Sequence, residues 1–223
     1  MTAKKPNANV IHAAHSSGAW YTPEPLRRLA HAVLGGIDLD PCTHNANPLD
    51  AATFYTARRS AWRHDWAAEL IAKLDAAPRP RSTVSLWMNP PYGRDVGQWL
   101  DAWHETIAKL SAERFVVRGL LLVPARTDTR WYQAASWEQS QATCELRSRV
   151  RFERREHGRV TRGESARWGC ALIYYGPDRK RAAAQLRAVG NVRLAQPWEG
   201  PKQARWSRQT SIPFESAQLS LAK

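Results

Sequence analysis

The stretch that decides the fold is residues 83–92, with the sequence TVSLWMNPPY. Its first six residues are mostly β-branched, aromatic or apolar, and they predict a strand. The two prolines that follow Asn89 fix φ and remove two backbone donors, so the turn is stiff and its carbonyl groups face outward. Asn89 offers a side-chain carbonyl acceptor, and Tyr92 offers a flat aromatic face. The turn can therefore hold a planar ring with an exocyclic amine; the alternative is a rigid turn with Tyr92 on a core edge.

Upstream of this turn, residues 37–41 predict a short strand that ends on acidic side chains. A helix predicted at residues 25–34 precedes it, ended by two glycines, with Thr22 as N-cap and Pro23 at the first helical position. A helix N-terminus binds carboxylates, and a carboxylate at the end of a strand suits an ammonium group or a ribose hydroxyl. For Asp38 or Asp40 alone, a loop cap is the alternative interpretation.

Downstream, residues 120–124 form a continuous apolar run, which is typical of a strand buried on both faces of a parallel sheet. A helix is predicted between the two strands, over residues 96–110. Residues 150–152 and 170–175 predict two strands of a closing hairpin that are joined by a long polar loop. The alternating order of helices and strands predicts an α/β sheet, and ligands bind such sheets at the carboxyl ends of the strands. Three polar clusters fall at strand ends: the aspartates at 38 and 40, the turn that begins at Asn89, and the polar residues after residue 124.

Four stretches of the chain, in this order, resemble the phage-encoded, Dam-like family of DNA N6-adenine methyltransferases. They are residues 20–23 (WYTP), 38–42 (DLDPC), 87–94 (WMNPPYGR) and 124–131 (PARTDTRW). Asn-Pro-Pro-Tyr is shared with other amino-methyltransferases, whereas the last stretch is far more specific. Two positions depart from the wider pattern: no glycine-rich loop follows Asp40, and Asp65-Trp66 stands where Asp-Gly-Leu is expected.

The resemblance implies a single class I S-adenosylmethionine-dependent methyltransferase domain over residues 19–177. This domain would be α/β and Rossmann-like, with a mostly parallel sheet closed by an antiparallel hairpin. Residues 1–18 are expected to be disordered, and residues 178–223 to form a basic helix and an extended tail. The implied reaction moves a methyl group from S-adenosylmethionine to the N6 amine of an adenine flipped out of duplex DNA, with either a specific recognition site or low specificity.

The resemblance also implies roles for individual residues. The side-chain oxygen of Asn89 and the carbonyl of Pro90 would accept hydrogen bonds from the amine, with Pro91 stiffening the turn and Tyr92 stacking on the base. The cofactor would be held by residues of the first two stretches, by the catalytic turn and by the residue before Trp66: Trp20, Tyr21, Thr22, Pro23, Asp38, Asp40, Pro41, Cys42, Asp65 and Asn89.

The charge distribution predicts a nucleic-acid partner. The formal net charge is +13, and it is concentrated in residues 126–223, which hold 19 Lys and Arg against 9 Asp and Glu. Residues 147–167 carry eight arginines and predict a DNA-facing loop, mobile until DNA orders it; a solvated surface loop is the alternative. The arginines predicted to contact DNA are Arg94, Arg126, Arg130, Arg151, Arg154, Arg155, Arg159, Arg162 and Arg167.

The remaining composition indicates few other features. Three cysteines without partners suit a reducing compartment, and no Cys or His pair has zinc-ligand spacing, so we predict no metal. No stretch resembles a signal peptide or a membrane span, which predicts a cytoplasmic protein of a bacterial or phage-infected cell. Two other functions remain open. One is methylation of RNA or of a protein glutamine, and the other is DNA binding on a catalytically inactive methyltransferase scaffold.

Overall fold

The computed structural model describes residues 20–56, 59–77, 81–156 and 159–195. The helices are α1 (Glu24–Leu34), α2 (Trp66–Asp75), α3 (Val96–Ala112), α4 (Arg130–Gln133) and α5 (Arg179–Leu186). The strands are β1 (Trp20–Tyr21), β2 (Leu39–Asp40), β3 (Thr53–Phe54), β4 (Thr83–Met88), β5 (Val116–Pro124), β6 (Ala142–Leu146), β7 (Arg151–Glu156), β8 (Arg159–Ser165), β9 (Cys170–Tyr175) and β10 (Gly190–Leu194). A 3-10 turn (Ala61–Arg63) precedes α2, and a π-helical turn (Ala134–Glu138) follows α4.

The main sheet has seven strands in the order β10-β6-β9-β5-β4-β2-β3. The pairs β3–β2, β2–β4 and β4–β5 are parallel, and the pairs that involve β9 and β10 are antiparallel. The predicted α/β class is therefore confirmed. Because β10 pairs with β6, the sheet continues past residue 177 to Leu194.

Strand β5 lies at the centre of the core and is covered on both faces, as its apolar run predicts. Leu121 and Val123 pack with α3, while Leu120 and Leu122 pack with α1. At Gly119 a Cβ atom would lie 2.7 Å from the ring of Trp103, so only glycine lets α3 approach the strand this closely.

The predicted loop between two hairpin strands is wrong in two respects. Residues 151–165 form a hairpin of their own, β7–β8, which joins β1 in a separate three-stranded sheet. The predicted partner, β9, instead pairs with β5 and β6 in the main sheet. Five of the six residues of β7 are charged, so the strand lacks the alternation of apolar and polar residues that would predict it. Its one apolar residue, Phe152, is buried.

Glu153 fixes this hairpin to the start of α1. Its carboxylate accepts hydrogen bonds from the Arg27 guanidinium at 2.8 Å and from the Glu24 backbone amide at 3.0 Å. Arg27 also donates to the Thr22 carbonyl at 2.5 Å. The Arg27 and Glu153 side chains are 19% and 17% exposed, so this ion pair is largely shielded from water.

We expect Glu153→Ala to lower the free energy of unfolding by about 1–3 kcal/mol, because it leaves Arg27 and a helix-terminal amide without their acceptor. Urea denaturation measures this. The matched control is Arg28→Ala, which breaks an exposed ion pair with Glu24 on the same helix and should cost less than about 0.5 kcal/mol. Equal effects of the two substitutions would show that Glu153 does not anchor the hairpin.

Two predictions about the chain ends have different outcomes. The basic helix is confirmed as α5. The segments predicted to be disordered or extended, residues 1–18 and most of the tail, lie outside the described residues. In the part of the chain that is described, no helix has the length and hydropathy of a membrane span.

Candidate active site

A cleft of about 770 Å³ opens at the carboxyl ends of β2 and β4, which is the edge where the sequence places its polar clusters. Its volume falls in the range of small-molecule sites. The cleft is lined by segments that follow β2, β3 and β4, by residues of the β1-β7-β8 sheet and by the β8–β9 loop. The lining of the cleft includes Tyr21, Thr22, Asp40, Pro41, Cys42, Tyr55, Ser60, Asn89, Pro90, Pro91, Tyr92, Trp99, Phe152, Arg167 and Trp168.

Asn89 stands at the end of β4 with one half of its amide engaged. Its Nδ2 donates to the Thr22 hydroxyl at 3.3 Å, while its Oδ1 is buried and has no hydrogen-bond partner among the described residues. A buried carbonyl without a partner costs about 1–3 kcal/mol, so this oxygen is suited to a donor that a ligand brings. The predicted capping role of Thr22 is wrong: Pro23 is the N-cap of α1 and no side chain caps the helix, because the Thr22 hydroxyl faces Asn89.

The Tyr92 ring lines the cleft beside Asn89 and is held from behind. It packs edge-on against Phe152, with the ring centroids 5.8 Å apart. Its hydroxyl lies 3.9 Å from the Cys170 sulfur. Burial raises the pKa of the Tyr92 phenol well above its usual range, so the ring stays neutral. A neutral aromatic face next to an open carbonyl acceptor suits a planar heterocycle with an amine.

Asp40 brings a buried carboxylate to the floor of the cleft. The residue is 2% exposed, and its Oδ1 accepts a hydrogen bond from the Cys42 amide at 3.1 Å. Burial raises the pKa of Asp40 to about 7, an effect that the hydrogen bonds from Cys42 and Thr43 only partly offset. None of the ion pairs between described residues includes Asp40. A cationic ligand group would therefore stabilise the ionised form.

A second part of the cleft is lined by side chains that sequence reasoning missed. Within the described segments, Ser60 Oγ and Trp99 Nε1 are buried without hydrogen-bond partners, and both residues line the cleft. Trp99 also packs in the hydrophobic core with residues of the sheet. The available signal was its place in the first turn of α3, shortly after the Asn89–Tyr92 turn. Ser60 follows a segment without periodicity, so no pattern in the sequence marks it.

Two aspartates assigned to the cofactor lie elsewhere. The Asp38 carboxylate accepts from Arg81 at 2.5 Å and from the Ser85 amide at 2.8 Å, and the residue precedes β2, at the end of the strand opposite to the cleft. Asp65 caps α2 through the Ala68 amide and pairs with Lys109 at 2.9 Å. Neither lines the cleft, and neither does Pro23. Trp20 belongs to β1, and its side chain lies outside what the structure describes.

Among the arginines predicted to contact DNA, one lines the cleft and a second contacts a lining residue. Arg167 lines the cleft and is exposed, and Arg126 lies over the ring of Trp168. Arg94, Arg130 and Arg151 are exposed outside the lining. The side chains of four others lie outside the described ones: Arg154, Arg155, Arg159 and Arg162.

The sequence model of one protein family, described as DNA N-6-adenine-methyltransferase (Dam), matches residues 12–182. This match covers most of the chain, and the chain belongs to that family. The resemblance seen in the sequence is thereby confirmed, and the sheet is that of a class I methyltransferase. No curated protein sequence is significantly similar to the chain. Across the described ranges, no group of three or more His, Cys, Asp or Glu side chains could hold a metal ion.

Proposed function

We propose that this DNA adenine methyltransferase transfers a methyl group from S-adenosylmethionine to the N6 amine of an adenine rotated out of the duplex. The observation that carries the proposal is the buried, unpartnered Oδ1 of Asn89 beside the neutral ring of Tyr92. The amine of a paired adenine is stacked inside the helix, so the base has to leave the stack to reach this turn.

The residues of the cleft fit the cofactor. S-adenosylmethionine, when bound, supplies a methyl group on a positively charged sulfonium, and it also carries an ammonium group. Asp40 provides a buried carboxylate for a cationic group or a ribose hydroxyl, and Ser60 and Trp99 provide unpartnered polar atoms for the nucleoside. Tyr21, Thr22, Pro41, Cys42 and Asn89 complete the proposed cofactor wall. The positions of Pro23, Asp38 and Asp65 give no support to a role in cofactor binding.

The catalytic turn acts by orientation. Asn89 Oδ1 and the Pro90 carbonyl each accept a hydrogen bond from the N6 amine. These two bonds direct the nitrogen lone pair out of the ring plane and toward the methyl donor. Pro91 keeps the turn stiff, and the face of Tyr92 holds the base. Fixed geometry of this kind lowers the barrier without a covalent intermediate or a strong base.

Nucleoside analysis of plasmid DNA from expressing cells tests the function. We expect N6-methyladenine in this DNA and none in DNA from cells that express Asn89→Ala. Unmethylated DNA together with no heat of cofactor binding would support a DNA-binding protein on an inactive scaffold. Labelled methyl groups in RNA or in protein glutamine, with none in DNA, would support the other alternative.

We propose that the arginines of the β7–β8 hairpin carry DNA affinity. Each phosphate contact contributes close to one unit to the slope of log affinity against log salt. We expect the triple substitution of Arg154, Arg155 and Arg159 by alanine to flatten this slope by about two to three units, with cofactor affinity unchanged. Fluorescence anisotropy with a labelled duplex at several salt concentrations measures it.

A charge-matched control lies at the opposite edge of the sheet. Arg179, Lys180 and Arg181 are exposed at the start of α5, which follows the end of β9 far from the cleft. Their replacement by alanine removes the same charge and should change the slope by less than one unit. Equal effects of the two triple substitutions would assign the DNA affinity to net charge instead of the hairpin.

A further inference from the structure

Trp168 is a large aromatic side chain left in water at the mouth of the cleft. It lies in the loop between β8 and β9, lines the cleft, and is 48% exposed. Trp168 differs in this from Tyr92, which also lines the cleft but is half-buried beside Asn89.

The ring of Trp168 is supported from behind. The Arg126 guanidinium lies 4.9 Å from its ring centroid, and Arg126 is held by an ion pair with Asp128 at 3.2 Å. The backbone is also fixed, because the Ala125 amide donates to the Gly169 carbonyl at 2.8 Å and so fastens the loop to the end of β5. The indole is therefore an exposed plane on an anchored support, backed by a cation that suits the phosphates of DNA.

We propose that Trp168 is a wedge that enters the duplex where the target adenine leaves it. The inference rests on the proposed function. An adenine that reaches Asn89 has to pass the cleft mouth, so the rest of the duplex lies against the rim where Trp168 stands. An indole has about the area of a base, and stacking on the neighbouring bases replaces the contacts that the departing adenine gives up.

The test compares Trp168→Ala with Trp137→Ala on two kinds of duplex. Trp137 is a matched control: it is 53% exposed and has the Arg193 guanidinium 4.9 Å from its ring, but it does not line the cleft. One duplex carries a mapped target adenine opposite thymine. The other carries the same adenine opposite an abasic site, where extrusion needs less help.

We expect Trp168→Ala to lower kcat/KM roughly ten- to hundredfold on the paired duplex. On the abasic duplex its rate should return to within a few-fold of the wild type. Trp168→Phe should keep most of the activity, and Trp137→Ala should match the wild type on both duplexes. With 2-aminopurine in place of the target, the fluorescence increase on binding should be smaller for Trp168→Ala than for the wild type.

Two outcomes would overturn the wedge. Equal losses on both duplexes would mean that Trp168 holds the base inside the cleft or shapes it, and full activity of Trp168→Ala on paired DNA would mean that it has no role in extrusion. Both differ from failure of the proposed function, in which the wild-type protein itself leaves every DNA substrate unmethylated. We expect Trp168→Ala to have the cofactor affinity and the circular dichroism spectrum of the wild type, which would exclude a folding defect.

Discussion

Replacing Asn89 with alanine will abolish methyl transfer and leave cofactor affinity within a few-fold of the wild type. Asn89 lies in the proposed cofactor wall, but its Oδ1 atom, which is buried and has no partner among the described residues, is the acceptor proposed for the amine and not for a polar group of the cofactor. Loss of one preorganised group of this kind costs on the order of a hundredfold or more in rate. Incorporation of labelled methyl groups into DNA measures the rate, and calorimetry measures the affinity.

Thr22 supplies the control for the orientation of that amide. Its hydroxyl accepts from Asn89 Nδ2 at 3.3 Å, so Thr22→Ser keeps the contact while Thr22→Val removes it. We expect Thr22→Ser to be active and Thr22→Val to lose activity, by less than Asn89→Ala does. An Asn89→Ala protein that still methylates DNA near the wild-type rate would remove Asn89 from the chemistry.

The elements predicted correctly from the sequence are those with strong local patterns. In β5 a continuous apolar run, and in α1 and α3 the helical spacing of apolar residues, indicate which residues are buried. The structure has all three elements where they were predicted. The β7–β8 hairpin was missed because its stability depends on distant partners. Phe152 packs behind Tyr92, and Glu153 binds the start of α1, and neither contact leaves a periodic signal in the sequence.

The candidate site shows the same division. The proposed catalytic turn is encoded locally by two prolines between Asn89 and Tyr92, so its stiffness follows from the residues themselves. The choice between Asp38 and Asp40 is not local. The two side chains are two residues apart in the sequence, and only the position of Arg81 and Ser85 shows that the carboxylate of Asp38 is already bound. Ser60 reaches the cleft through tertiary packing alone, whereas the place of Trp99 in the first turn of α3 is visible in the sequence.

The second large effect is expected at Asp40, where Asp40→Asn should weaken cofactor binding and stabilise the ligand-free protein. At pH 8 the loss of a charged hydrogen bond should cost about 2 kcal/mol, close to thirtyfold in affinity. The wild-type affinity should fall as the pH drops below about 7, the pKa to which burial raises this carboxyl, because only the ionised form attracts a cation. The affinity of Asp40→Asn should not change over this range.

The stability effect has the opposite sign. Asp40 ionises near pH 3.8 when exposed and near 7 in the fold, so the contribution of this residue to stability is lost as the pH rises from about 4 to 7 and is then constant. Asp40→Asn removes this penalty. The variant should be more stable than the wild type at pH 8, by an amount on the order of a few kcal/mol, and the difference should shrink toward pH 4. Thermal and urea unfolding without cofactor measure it.

Asp38→Asn is the matched control two residues away, and it should give the reverse result. Its carboxylate already binds Arg81 and the Ser85 amide outside the cleft, so its loss should destabilise the fold and leave cofactor affinity within a few-fold. The two substitutions should therefore change stability in opposite directions, which distinguishes a carboxylate that binds the ligand, Asp40, from one that stabilises the fold, Asp38. If Asp40→Asn binds the cofactor as tightly as the wild type at pH 8, then the cofactor site does not include the end of β2.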